Sequence, residues 1–351
     1  MQSLIHALVA ASVFLNVSSV VSSSSSSSFV RSDAQKTPPL ELTHRFKLAD
    51  SIKGHFDHFA VDAQHNRLFA TAVDDKAVVV FDFVKGEVVH LVMSVDVPRA
   101  VLYRADLNKI YVSDGGGALR VFDATNFHLL NTIELLVDAD PITYDPASKQ
   151  LFVVNGGEAA HHSYSDITII DTTELTKGKD IKIEGEELEG MVVENSGTRL
   201  FVNNRAKNQI EVVDRSKAAL VATWPVTLGK GNTVMALDES SHRMFVACRG
   251  GQLIVFDLNT GKELQSLPIA AGVDDISFDP ASKRIYVACG DGAGSIYVYH
   301  ESGPNSYELL GKVASAPGAA TARLVPELQQ YIALAPAQKG APAEVLVYNV
   351  R

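Results

Sequence analysis

One short strand recurs along this chain and dictates what it can fold into: Leu68-Phe-Ala-Thr-Ala72, Ile110-Tyr-Val-Ser-Asp114, Leu151-Phe-Val-Val-Asn155, Leu200-Phe-Val-Asn-Asn204, Met244-Phe-Val-Ala-Cys248, Ile285-Tyr-Val-Ala-Cys289 and the degenerate Tyr331-Ile-Ala-Leu-Ala335. Successive anchors lie 41 to 49 residues apart. That is the period of a four-stranded propeller blade and too long for leucine-rich or ankyrin units. Seven copies predict an all-β, seven-bladed β-propeller of antiparallel sheets, and the repeat overrides the two or three domains that 351 residues would otherwise suggest.

Each unit has the same grammar. An apolar strand (Phe59-Ala-Val, Val101-Leu-Tyr, Ile276-Ser-Phe) leads through a polar turn such as Asp279-Pro-Ala-Ser-Lys-Arg into the recurring strand. A third strand ends on Asp in five copies: Asp82, Asp123, Asp171, Asp214 and Asp257. We read these carboxylates as acceptors of backbone N–H groups at a turn rather than as calcium ligands. The last repeat lacks a fourth strand, while the strand-like segment at residues 42–51 has no partner; it is predicted to complete the seventh blade and remove its free edge. Residues 42–351 are thus read as a single domain.

The N-terminus has another character. Residues 4–21 are mostly small and apolar and residues 22–28 are all serine, the pattern of a secretory signal, although no Lys or Arg precedes the apolar run. An uncleaved anchor is the rival reading and the only membrane association expected, but it would need about 20 strongly apolar residues and this run is interrupted by His6, Asn16, Ser18 and Ser19. Residues 1–28 are read as signal peptide and serine tract, residues 29–41 as a disordered linker, and the location as secreted or periplasmic. Cys248 and Cys289 occupy equivalent places in neighbouring repeats, so they are expected to be two buried thiols; sheets packed about 10 Å apart are too distant for an unstrained disulfide.

The variants Tyr-Val-Ser-Asp, Phe-Val-Asn-Asn and Tyr-Val-Ala-Cys, the Asp-closed third strand and the turn Leu258-Asn-Thr-Gly-Lys262 resemble the secreted YVTN-type seven-bladed propeller repeats over roughly residues 54–351. The resemblance implies the fold and carries no shared catalytic residue. Similar propellers include surface and periplasmic binding proteins and, more distantly, lactonases and lyases.

In such a fold the loops entering each blade and those joining its second and third strands open on one end of the ring, where binding residues are expected. Eleven places before each anchor stand Asp57, Arg99, Asp140, Glu189, Thr233, Asp274 and Ala320, with His58 and Asp275 one place on. Four acids and an arginine around one axis predict a polar, mostly acidic channel mouth; Asn232 is assigned to the same ligand-binding set. His55 and His58 in Gly54-His-Phe-Asp-His58 are candidate ligands for a divalent metal ion, although strand alternation would send them to opposite sides. The longest second-to-third-strand loop, residues 156–165, carries His161 and His162, which could reach across the mouth. Asn155, Asn203, Asn204, Arg205 and Arg249 end their strands beside it.

A formal net charge of −10 with no basic run argues against nucleic acid. Nucleophile elbow, phosphate-binding loop, Cys-x-x-Cys and His-Glu-x-x-His motifs are all missing from the sequence. The expected function is therefore binding of a small polar ligand or a protein partner at the loop-rich end of the channel by a monomer. The alternative is a metal-assisted hydrolase or lyase acting on a lactone or sugar-derived acid, with Asp57, Asp274 or Asp275 and a histidine on the ion and Arg99 on a substrate carboxylate.

Overall fold

The computed structural model describes residues 37–303 and 305–351; the expected signal segment and most of the expected linker lie outside them. From Pro38 onward the chain forms seven four-stranded antiparallel sheets. Blade one is Phe56–Asp62, Arg67–Ala72, Ala77–Asp82 and Glu87–Val92, and each later blade repeats that order outward from the axis. The seventh takes Thr321–Val325, Gln330–Ala335 and Glu344–Val350 from the C-terminal end and its outer strand, Leu40–Lys47, from the N-terminal end. This is the closure expected from the unpaired segment, except that pairing begins at Leu40, opposite Val350. Leu40 and Glu41, read from the sequence as linker, are strand residues because Leu40 is buried among Tyr348, Leu346 and the sixth blade's Ile296.

Burial explains which residues recur. Second strands are sandwiched between neighbouring blades, so both faces are covered; in Arg243–Cys248 every residue is buried, and the sequence shows a continuous apolar run rather than alternation. Outer strands such as Glu87–Val92 are largely exposed. The gaps that widen toward the rim are filled by large side chains: the Trp224 ring lies 5.3 Å from Phe201, and it covers Gly261 of the following blade so closely that a Cβ there would sit 2.2 Å from the indole. Cys248 and Cys289 are buried free thiols whose pKa values burial pushes up to about 12, so they are held protonated and unreactive.

The five aspartates closing the third strands are turn-formers. Asp82 accepts the N–H groups of Val84 and Lys85 at 2.9 Å, Asp123 those of Thr125 and Asn126, and Asp171 those of Thr173 and Glu174, with Asp214 and Asp257 repeating the pattern. A second polar device fixes the inner strands. The buried Thr71 hydroxyl accepts the His58 N–H at 3.0 Å and donates to the Arg99 carbonyl of blade two at 2.8 Å. Ser113, at the same place of the next repeat, accepts the Ala100 N–H at 2.8 Å and donates to the Asp140 carbonyl of blade three at 2.6 Å. Thr321 closes the chain of staples from blade seven, its hydroxyl 2.7 Å from the Phe56 carbonyl and 2.8 Å from that of Asp57. The backbone under Asp57, His58, Arg99 and Asp140 is therefore pinned to two blades at once.

Candidate functional site: an acidic axial funnel

The inner strand of blade three starts late, at Ile142, because Pro141 has no N–H for the ladder and holds the preceding Asp140 extended. Asp140 nevertheless donates its N–H to Val154 at 3.0 Å, which leaves its carboxylate facing the axis. At the equivalent places of the other blades Asp57, Arg99, Glu189, Thr233, Asp274 and Ala320 line the same cavity, as the alignment of the repeats predicts. It encloses about 650 Å³ and is walled by both expected sets of loops. Arg205 and Arg249 project into it from the ends of their second strands. A second chamber of about 150 Å³ lies against it, lined by Asp275, Arg323 and a belt of apolar residues. His58 borders both chambers and so occupies the neck.

The three arginines are already engaged. Arg99 Nη1 lies 3.3 Å from Asp57 Oδ2, Arg205 Nη1 is 2.9 Å from Glu189 Oε1 and its Nη2 also meets Glu187, and Arg249 Nη2 is 2.6 Å from Asp274 Oδ1. Around the cavity stand eight carboxylate residues (Asp57, Asp138, Asp140, Glu186, Glu187, Glu189, Asp274 and Asp291) against these three guanidinium groups and the His58 imidazole. The surplus is visible in the titration of the acids. Burial pushes the Glu189 pKa to about 7, with Asp274 and Glu187 adding to it and Arg205 and Arg249 opposing. Burial, with Asp57 and Glu189 close by, holds Asp140 well above the ordinary carboxylate range despite His58 and Arg99. Asp275 is raised to about 6, first by burial and against the pull of His58 and Arg323.

His58 shows the same field with the opposite sign. Burial acts against its charged form, yet Asp57, Asp275, Asp140 and Asp274 outweigh that and hold its pKa at about 9. The ring points one nitrogen each way: Nε2 lies 3.8 Å from Asp57 Oδ1 and Nδ1 lies 3.9 Å from Asp275 Oδ2. Ligand atoms of Asp57, His58 and Asp140 converge to within 4.8 Å of one another.

Not every residue assigned to the mouth from the sequence is there. Asn232 is fully buried and spends its amide on Asn203 Oδ1 (2.9 Å) and the Gln209 carbonyl (3.0 Å), because its side chain faces the interblade layer and not the axis. Asn155, Asn203 and Asn204 are likewise buried and bonded within or between the blades, Asn204 donating to the Glu184 carbonyl of blade three at 3.0 Å. His161 and His162 do not line the funnel. Their loop folds into a short 3-10 turn, Gly157–Ala160, seated tightly on blade four: Gly157 has φ +75° and a Cβ there would lie 2.2 Å from the Glu186 carbonyl oxygen. That turn leaves His161 exposed and stacks the His162 ring on Tyr164 at 4.6 Å. His55 lines the outer rim, but at φ +52° its exposed ring turns to Asp74 (3.5 Å) and does not join His58. Asp275 falls in the lower chamber, one residue out of phase with Asp274. The staples Thr71, Ser113 and Thr321 went unrecognised in the sequence; for Thr71 and Ser113 a hydroxyl at the fourth place of an otherwise apolar repeat was the available signal, while Thr321 opens an inner strand and had none.

The fold and this site define the class: a seven-bladed β-propeller with a carboxylate-rich axial funnel. No family model matches the chain. The chain is similar to the "Seven-bladed beta-propeller protein Rv1057" of Mycobacterium tuberculosis (strain ATCC 25618 / H37Rv), with 23% identity over 175 residues, which are 48% of this chain and 44% of that protein. The match thus spans less than half the length of that relative. Among solved structures, a chain of "Crystal Structure of Mitotic Checkpoint Complex" superposes with a TM-score of 0.71 at 13% identity, covering 95% of this chain and 99% of that one. A chain of "Kuenenia stuttgartiensis Hydrazine Synthase" does so with a TM-score of 0.70 at 14% identity, covering 87% and 98%. At such identities the likeness is one of fold. Among the described residues no helix is long and apolar enough to cross a membrane.

Proposed function

We propose that the protein is an exported propeller that binds a small polar ligand, positively charged where it meets the carboxylates, in the funnel at the loop-rich end of its channel. The observation that carries this reading is the charge imbalance around one cavity, eight carboxylate residues to three arginines and His58. Like charges crowded in a partly desolvated space raise each other's pKa, and a bound cation relieves that cost at several carboxylates together. The apolar stretch at residues 4–21 supports export.

A thermal-shift panel tests it, using diamines and amino sugars against sugar acids of similar size. Cationic compounds at about 100 times their Kd are expected to add about 2.7 kcal/mol, a rise of about 4 °C, and Asp140→Asn to abolish most of it. Stabilisation by the sugar acids alone would contradict the reading. The second reading, metal-assisted hydrolysis or elimination on a lactone or sugar-derived acid, is favoured by the convergence of Asp57, His58 and Asp140 beside Arg99. It requires lactone turnover that Arg99→Ala removes.

A further inference from the structure

We propose that Asp57, His58 and Asp140 form a binding site for a divalent transition-metal ion of the zinc class at the neck between the two chambers. The inference rests on the funnel being the binding site and specifies what occupies its floor. Three features of the geometry carry it.

The donor set is the first. One imidazole and two carboxylates, from the consecutive residues Asp57 and His58 of blade one and from Asp140 of blade three, bring their ligand atoms to within 4.8 Å of one another. Mixed nitrogen and oxygen donors of this kind suit Zn²⁺ and its first-row neighbours, whereas Ca²⁺ and Mg²⁺ favour oxygen alone. Three protein ligands also leave a position open to the funnel above.

The second is the orientation of the ring. His58 sends Nε2 toward Asp57 and Nδ1 toward Asp275, so a carboxylate stands behind the nitrogen that faces away from the cluster. Asp275 is itself held by the Ala322 N–H at 2.9 Å. Metal-binding histidines generally have a carboxylate or carbonyl on the side of the second nitrogen, and Asp275 stands on that side at 3.9 Å, beyond hydrogen-bond distance. Neither ring nitrogen has a hydrogen-bond partner among the described residues; the carboxylates of Asp57 and Asp275 stand at 3.8 and 3.9 Å.

The third is preorganisation. The backbone of all three residues is stapled by buried hydroxyls: Thr321 to Asp57, Thr71 to His58 and Ser113 to Asp140. Two of these staples are interblade bonds, which fix blade seven against blade one and blade two against blade three at the neck. A binding constellation works when its supports are locked in this manner, and an ordinary solvated rim has no need of them.

Full-length protein stripped with EDTA is titrated with Zn²⁺ in competition with a chromophoric chelator, and separately with Co²⁺ while visible absorption is followed. One equivalent of Zn²⁺ is expected, with Co²⁺ absorption bands that Zn²⁺ abolishes. His58→Gln and Asp140→Asn should each weaken Zn²⁺ binding more than 10-fold. Asp275→Asn and Thr71→Val, which position His58, should weaken it about 10- to 100-fold while keeping one site per chain. The His161→Gln/His162→Gln pair, outside the funnel, should change nothing. Should one variant fail to fold, as judged by circular dichroism, the remaining three carry the test. Zn²⁺ binding equal in all folded variants, or lost only in the His161/His162 pair, overturns the site. The same stripped protein is run through the panel of diamines and amino sugars: stabilisation by them without Zn²⁺ binding overturns the metal site and leaves the funnel reading standing, whereas Zn²⁺ binding without any response to them supports the site and removes the cationic ligand.

Discussion

A chain shortened by residues 1–48 is expected to lose cooperative folding and to aggregate, while one shortened by residues 1–36 unfolds as the full chain does. The outer strand of the seventh blade is paired from Leu40 opposite Val350 to Lys47 opposite Glu344, with one bulge between Leu42 and His44. Without it Glu344–Val350 becomes an open edge of mostly apolar residues, the kind of surface that pairs with other chains. Leu40 and Leu48 are both buried, and each lost leucine side chain costs about 2–5 kcal/mol. Together with the ladder this approaches the whole of an ordinary folding free energy, about 5–15 kcal/mol. A milder probe is Phe46→Ala. Its ring lies 5.3 Å from Phe81 and covers Gly86, so it ties the closing strand to blade one, and a loss of about 2 kcal/mol in urea unfolding is expected. Unchanged cooperativity and midpoint after removal of residues 1–48 would show that the ring does not depend on this closure.

Glu189→Gln is expected to stabilise the protein at pH 8 and to leave it unchanged at pH 4. The ordinary value for this group is 4.5 and in the folded chain it is about 7. Between those values the native state holds more protons than the unfolded state, so stability falls as pH rises, and the cost is complete above pH 7. A shift of that size corresponds to about 3 kcal/mol at most. A glutamine oxygen keeps an acceptor for Arg205, now 2.9 Å from Glu189 Oε1, but forgoes its charge, so a net gain of about 1–2 kcal/mol is the expected result. Urea unfolding of both proteins at pH 4, 6 and 8 measures it. A variant less stable than the parent at pH 8 would mean that the Arg205 pair outweighs the crowding of Glu189 by burial, Asp274 and Glu187.

How much of this was open to a reader of the sequence depends on which residues repeat. The anchors from Leu68 to Tyr331 repeat because each second strand is buried on both faces, so blade number and the place of the closing strand followed from spacing alone. Asp57, Arg99, Asp140, Glu189 and Asp274 could be placed on the funnel because equivalent positions of a ring must face one axis. Single features without a repeat were harder. His161 and His162 were assigned by loop length, and what redirects them is a local 3-10 turn held by the contact of Gly157 with blade four. Asn232 is adjacent in sequence to a funnel position, and strand alternation turns it into the interblade layer. His55 is lost to the neck by a single left-handed residue conformation. The staples were missed for a different reason: a Thr or Ser inside an apolar run gives no hint of which neighbouring carbonyl it will reach until the blades are packed.

Both the funnel ligand and the neck site depend on an excess of negative charge gathered at one axial opening. Heteronuclear NMR titration of the side chains of the metal-free, ligand-free protein measures that directly. The expected result is Asp275 titrating near 6, Glu189 near 7, Asp140 well above the usual carboxylate range and the His58 imidazole near 9. Carboxyls that all titrate at about 4 and a histidine at about 6.5, the values of isolated side chains, would contradict it.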